Sequence, residues 1–343
     1  MPIKIGRNHV ATFHRGDVLR RVLPQLKDQF PADVLAPRRT GLRGLAPRVE
    51  ISRVSDETRF ASGDSVRRAL ARIPLRTSIA EVTRDVSAHV TRGIADAVAL
   101  NARLPGNQQK PIVVVFGEYH DSRVSLAGMI ATLGSIRGHF PAANAPVLFE
   151  IPGESLHHFA AGGGYAALAD ARLRSPQARQ QVLETPLHDE MRLGTSLLIT
   201  KTALARGAGF ALGAFDRGHF EATDNVAREA AMVDALRDEL AGPPAPVRMI
   251  VCGCGHMSGL HRELSRDAHL VPVVMLDPLL PDISTGRKSA SHALARDDIL
   301  CLRVDPEHDP LEARLYDPVE LARAQGLTLP AAWTPGPQAT PQP

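Results

Sequence analysis

Four short apolar runs in this chain end in residues able to do chemistry. Ile112 to Phe116 is followed by Gly117-Glu118-Tyr119-His120-Asp121, and Val147 to Ile151 contains Glu150. Phe210 to Phe215 is followed by Asp216-Arg217-Gly218-His219, and Arg248 to Cys252 by Gly253-Cys254-Gly255-His256. Two of the runs share a Gly-x-x-His pattern, Gly117 to His120 and Gly253 to His256. A glycine directly after a buried strand permits a sharp turn or the close approach of another group, and sets an imidazole three residues on over the sheet edge. Glu150, between Phe149 and Ile151, loses water unless an ion or a donor faces it, and Arg228 is one candidate partner. Two imidazoles and a carboxylate suit hydrolysis in two ways. His120, Glu150 and His256 can hold a divalent transition metal (Mn, Co or Zn), which lowers the pKa of a bound water. Without metal, His120 oriented by a neighbouring carboxylate can act as general base toward water attacking an ester or amide.

Other uses of these residues fit less well. Gly253-x-Gly255 lacks the third glycine of a dinucleotide fingerprint, because position 258 is serine. Cys254 has no activating environment visible in the sequence and reads as a small buried thiol. A Cys252/Cys254/His256 zinc site lacks a second ligand cluster at standard spacing. His157, His158 and His188 read as surface or helix-face residues, whereas His219 follows a strand that ends at Asp216 and is kept as a substrate contact.

The elements that must position these groups follow from periodicity. Ile79, Val82, Val86, Val90, Ile94 and Val98 recur every three or four residues after Ser78-x-x-Glu81, which predicts an amphipathic helix with a capping box. Beyond it, strands and helices alternate: helix Arg123 to Ile136, a long helical stretch to Arg206, helix Thr223 to Leu240, a short helix from Ser258, then strands Leu270 to Leu276 and Ile299 to Val304. The expected fold is a three-layer α/β domain over 78–325, with a mostly parallel sheet and helices on both faces. Ligands then collect at the carboxyl ends of the strands, where all four polar strand ends lie. Residues 1–77 read as a basic, loosely structured extension with a short helix near Val18 to Phe30, and 326–343 as a Pro-rich tail.

Composition sets limits on partners. Of the 343 residues 44% are hydrophobic, enough for a substantial core, yet no apolar run approaches the roughly 20 residues of a membrane-spanning helix. The first 105 residues hold 19 Lys and Arg against 10 Asp and Glu, so the basic character is N-terminal and open to contact with an acidic membrane surface. Aromatic residues, at 4%, do not interleave with the arginines, which argues against specific nucleic-acid binding and leaves a small molecule or peptide as substrate. Three cysteines cannot build a disulfide framework, and the start carries no recognisable signal peptide. The expected location is cytoplasmic or exported by a non-classical route.

The ordered set of motifs resembles a known superfamily. Gly117-Glu118-Tyr119-His120-Asp121 after an apolar strand, Val147 to Glu150 closing the next, Arg228-Glu229-x-x-Met232 on a helix, and Val251-Cys252-Gly253-Cys254-Gly255-His256-Met257-Ser258-Gly259 are similar to the motifs of the Tiki, or haem-binding uptake, superfamily. That grouping holds Tiki and TraB-like proteins, ChaN-like haem-binding lipoproteins, erythromycin-esterase-like hydrolases and a domain of certain large bacterial toxins. The resemblance spans about residues 78–305. Its first motif is nearer the ChaN and esterase branches, its second nearer Tiki and TraB. It implies a site of Glu118, His120, Glu150 and His256, supported by Tyr119, Asp121, Asp216, His219 and Arg228, and it implies hydrolysis by either mode. It also leaves open haem or iron binding of the ChaN type, with Tyr119 as axial ligand, and an exported effector whose basic N-terminus serves delivery.

Overall fold

The computed structural model describes residues 9–13, 35–40, 48–53, 63–76, 78–120, 122–141, 145–183, 190–217, 225–277, 284–304 and 316–333. Strands β1 (His9–Phe13), β2 (Leu35–Thr40) and β3 (Arg48–Arg53) form an antiparallel sheet in the order β1-β3-β2. Strands β4 (Ile112–Glu118), β5 (Pro146–Phe149), β6 (Ala211–Ala214), β7 (Val247–Gly253), β8 (His269–Leu276) and β9 (Leu300–Arg303) form a parallel sheet in the order β6-β5-β7-β4-β8-β9. The helices are α1 (Gly63–Leu70), α2 (Ile79–Asn101), α3 (Arg123–His139), α4 (Leu156–Phe159), α5 (Gly164–Arg174), α6 (Pro176–Leu183), α7 (Glu190–Gly207), α8 (Asn225–Ala241), α9 (Met257–Leu264), α10 (Ser284–Leu294) and α11 (Pro318–Ala324).

The period of two along each strand sorts the core into two layers. Val114, Phe116, Val147, Phe149, Met249, Val251, Val273 and Met275 pack with α2 to α7 and α11 on one face. Val113, Val115, Leu148, Ile250, Cys252 and Val274 pack with α1, α8, α9 and α10 on the other. This is the expected three-layer α/β architecture with a parallel sheet. From β4 to β5 to β6 the chain steps one way across the sheet, with its helices on the first face. From β6 through β7 and β8 to β9 it steps the other way, with its helices on the second, and reversing both keeps one hand of crossover. The neighbours β5, β7 and β4 therefore send their connections to opposite faces and open a crevice at their carboxyl ends.

Several boundaries differ from the sequence reading. Ser78 is an extended N-cap, but its side chain makes no capping bond, and α2 buries Ala97 while Val98 is 44% exposed. The packed fold starts before Ser78, since Val66 and Leu70, four residues apart on one face of α1, are buried in the second layer. It also runs past 325, because Leu327 and Trp333 are buried. Within 1–77, β1, β2 and β3 replace the expected lack of structure, and the helix near Val18 to Phe30 lies outside the described residues. Helix α10, between β8 and β9, was not anticipated. Its sequence STGRKSASHAL is poor in large apolar residues, and it is held by small buried ones, Ala290 and Ala293.

The contact of α3 with the end of α11 depends on the absence of a side chain. A Cβ at Gly134 would overlap the carbonyl oxygen of Gln325, whereas one at Gly138, in the same helix, would meet nothing within 4 Å. Gly134→Ala should cost about 1–3 kcal/mol in urea unfolding. Gly138→Ala should be neutral or stabilising by up to about 1 kcal/mol.

Candidate active site

The strand register sets the polar strand ends side by side. Gly117 lies opposite Cys252, Glu118 opposite Gly253, and Phe149 opposite Val251. Glu150 continues the ladder by donating its N–H to the Val251 carbonyl at 3.1 Å. The alternation that points Ile112, Val114 and Phe116 at the first layer points Glu118 there too, toward Lys201 of α7.

Glu150 is the hub. Its Oε1 accepts from Arg228 Nη2 at 2.7 Å and lies 3.4 Å from His256 Nε2. Its Oε2 accepts the Gly253 N–H at 2.6 Å and faces His120 Nε2 at 3.7 Å. Burial alone would raise the Glu150 pKa, but the bond from His256 and the charges of His120 and His256, with the Gly253 amide, outweigh it and bring it to about 2. Gly253 is required here by space: a Cβ would sit 2.9 Å from His120 Nε2 and 3.4 Å from Glu150 Oε2. The glycine of the second Gly-x-x-His thus makes room for the histidine of the first.

The two imidazoles differ in setting. His256 has a side chain only 10% exposed, between Glu150 and Glu229, whose Oε1 is 3.3 Å from its Nδ1. Burial pushes it down, yet the two carboxylates raise its pKa to about 9, so it is an imidazolium at neutral pH. The side chain of His120 is 53% exposed. Its Nδ1 lies 3.2 Å from Glu118 Oε1, and the other oxygen of Glu118 accepts from Lys201 Nζ at 2.7 Å. Crowding by protein lowers the His120 pKa, but Glu118, by hydrogen bond and charge, and then Glu150 raise it above the ordinary value. Glu118 itself is buried, which favours its neutral form, and Lys201 then His120 hold its pKa below the ordinary value nonetheless.

Arg228 completes the network by bridging Glu150 and Asp216, with Asp216 Oδ2 at 2.8 Å from Nη2. Its Nη1 makes no hydrogen bond with the described residues. The carboxylates Glu118, Glu150, Asp216 and Glu229 face the cations Lys201, Arg228 and His256, so a proton on His120 evens the count. Of the sequence-predicted residues, the structure brings together Glu118, His120, Glu150, Asp216, Arg228 and His256. Tyr119 is half-buried against the second layer, while Asp121 and His219 lie outside the described residues. Cys252 and Cys254 are buried free thiols; burial raises both, Cys254 to about 12, as expected for inert packing groups.

No family model, curated protein or solved structure matches this chain.

Lys201 and Glu229 were missed from the sequence. Lys201 carried a signal: it is one of 5 lysines beside 35 arginines, in the apolar stretch Leu197-Leu198-Ile199-Thr200-Lys201-Thr202-Ala203. Glu229 stood beside Arg228 without an assigned role. The candidate metal set of His120, Glu150 and His256 meets at one carboxylate. The two imidazoles face opposite oxygens of Glu150, and Arg228 and Gly253 occupy those oxygens as well. Among the described residues, no group of three His, Cys, Asp or Glu is arranged to hold a metal ion.

The His256 shift from 6.5 to about 9 corresponds to about 3 kcal/mol of native-state stabilisation, shared with Glu150 and counted once. A raised histidine pKa gives stability that is complete below pH 6.5 and lost as pH rises through about 9. Urea unfolding of the wild type should therefore weaken by about 3 kcal/mol between pH 6.5 and 10 relative to His256→Gln, and parallel curves would refute this assignment.

Proposed function

We propose that the chain is a hydrolase of ester or amide bonds, as the resemblance to the Tiki superfamily implies, and that His120 is its general base. One observation carries this reading. A half-exposed imidazole has its Nδ1 on a buried carboxylate that a buried ammonium neutralises, and its Nε2 lies 3.7 Å from Glu150 Oε2. The Nδ1–H to Glu118 fixes the tautomer that leaves the Nε2 lone pair for water.

The chemistry then runs without a metal. Water between His120 Nε2 and Glu150 Oε2 gives a proton to His120 as its oxygen adds to the acyl carbon. The carbonyl oxygen becomes an oxyanion, stabilised by Arg228 Nη1 and the positive field of His256. When the tetrahedral intermediate collapses, the bond to the leaving group breaks and the His120 imidazolium returns the proton to it. Glu118 and Lys201 orient the base, and Asp216 and Glu229 hold Arg228 and His256 in place.

The test is a panel of nitrophenyl esters and amino-acid nitroanilides with the full chain, in chelator and with added Mn, Co or Zn. Turnover should persist in chelator, and His120→Ala should lower it by about 10²-fold or more with an unchanged thermal melt. Wild-type turnover in that variant would reject the base, and activity only with added metal would reject the metal-free mode. The ratio kcat/KM should be bell-shaped in pH. It rises as His120 deprotonates above 6.5, and falls near 9 as His256 loses its proton.

A further inference from the structure

At the opposite edge of the parallel sheet, where its strands begin, a cleft of about 580 Å³ lies between α2, the end of α9, the start of β8 and the turn before β9. That volume suits a small organic molecule. Three imidazoles line it, His89, His261 and His269. Burial lowers the pKa of each, helped by Arg92 at His89, by His292 at His261 and by Lys110 at His269, so all three are uncharged at neutral pH. Their tautomers follow from their partners. His89 donates Nε2–H to the Pro272 carbonyl at 3.0 Å, and His269 donates Nε2–H to Asn101 Oδ1 at 2.9 Å. Asn101 Oδ1 is fixed as the oxygen because it also accepts the Lys110 N–H. Both rings keep Nδ1 as a lone-pair acceptor.

His261 is 1% exposed, with His292 Nε2 3.0 Å from its Nδ1. Its Nε2 stops 3.9 Å from Asp298 Oδ2, too far for a hydrogen bond, and has no other partner among the described residues. Arg296 is engaged by Asp298 at 2.7 and 2.9 Å. Asp96 on α2 and Asp297 in the turn form no ion pair among the described residues, and Arg92 is the one lining cation in the same position. The unpaired charges on the wall are thus two carboxylates against one guanidinium, all three at the exposed mouth of the cleft. Leu270 and Val271 supply an apolar wall, and Leu100, also on the wall, is 49% exposed.

We propose that this cleft binds an organic diamine, with its ammonium groups on Asp96 and Asp297 and its hydrocarbon stem along Leu100, Leu270 and Val271. An anion would meet two unpaired carboxylates against one unpaired cation. A metal ion is disfavoured because these imidazoles are not grouped to share one.

The test is calorimetric titration of the full chain with cadaverine and with its neutral counterpart pentanediol, alongside NMR of the histidine ring signals. Cadaverine should bind saturably and pentanediol should not, and the rings of His89 and His269 should shift while those of His120 and His256 stay. Asp96→Asn and Asp297→Asn should each weaken binding about fivefold or more, and Asp64→Asn on α1 should leave it unchanged. The proposal is overturned if pentanediol binds as well, if Asp64→Asn weakens binding equally, or if only His120 and His256 respond. Zinc moving the His89 and His269 signals where cadaverine does not would overturn it too. Matching thermal melts of the variants would show that altered binding is not altered folding.

Discussion

An ionised carboxylate at the end of a buried strand dictates the arrangement around it. Glu150 has a side chain 6% exposed, and a carboxylate so far from water must be met by donors or neutralised. Arg228, His256 and the Gly253 amide meet it, and His120 faces what remains. Each donor brings its own demand. Arg228 needs Asp216, His256 needs Glu229, and His120 is placed by Glu118, which needs Lys201. Deleting Arg228, His256 or Lys201 leaves a buried carboxylate short of a cation, whereas half-exposed His120 can go with Glu118 still paired to Lys201 and Glu150 to Arg228.

The parallel sheet is suited to this because its register brings the ends of β5, β7 and β4 into line. Gly253 sits between Glu150 and His120 with no side chain to separate them. The crevice opens where consecutive connections leave for opposite faces, so helices from both layers reach it: α7 with Lys201 from one, α8 with Arg228 and Glu229 from the other.

Two histidines from the same short motif end with different properties because their surroundings differ. His256, nearly buried between two carboxylates, is a fixed cation across the neutral range. His120, half exposed and held by Glu118 on one side, is the group open to proton exchange with its surroundings. Environment, not residue type, separates the field-setting imidazole from the titrating one.

The sequence by itself determined the layers and most of the site. Apolar β-branched runs alternating with amphipathic helices admit one economical packing, a parallel sheet covered on both faces, and polar residues that interrupt such runs at their ends have nowhere to lie but the carboxyl edge. Glu118, His120, Glu150, Asp216 and His256 were legible for that reason, and Arg228 as a cation that Glu150 would need. Tertiary structure alone decided the strand order, in which β7 enters between β5 and β4, because strands of similar apolar content carry no record of their neighbours. It decided the partners as well. Lys201 and Glu229 sit on helices whose approach to the crevice depends on packing across the sheet, and the charge states of His120 and His256 depend on distances that no spacing in the chain encodes. The helix between β8 and β9 was hidden for a related reason: its small and polar residues acquire their buried setting only when α9 and the sheet are already in place.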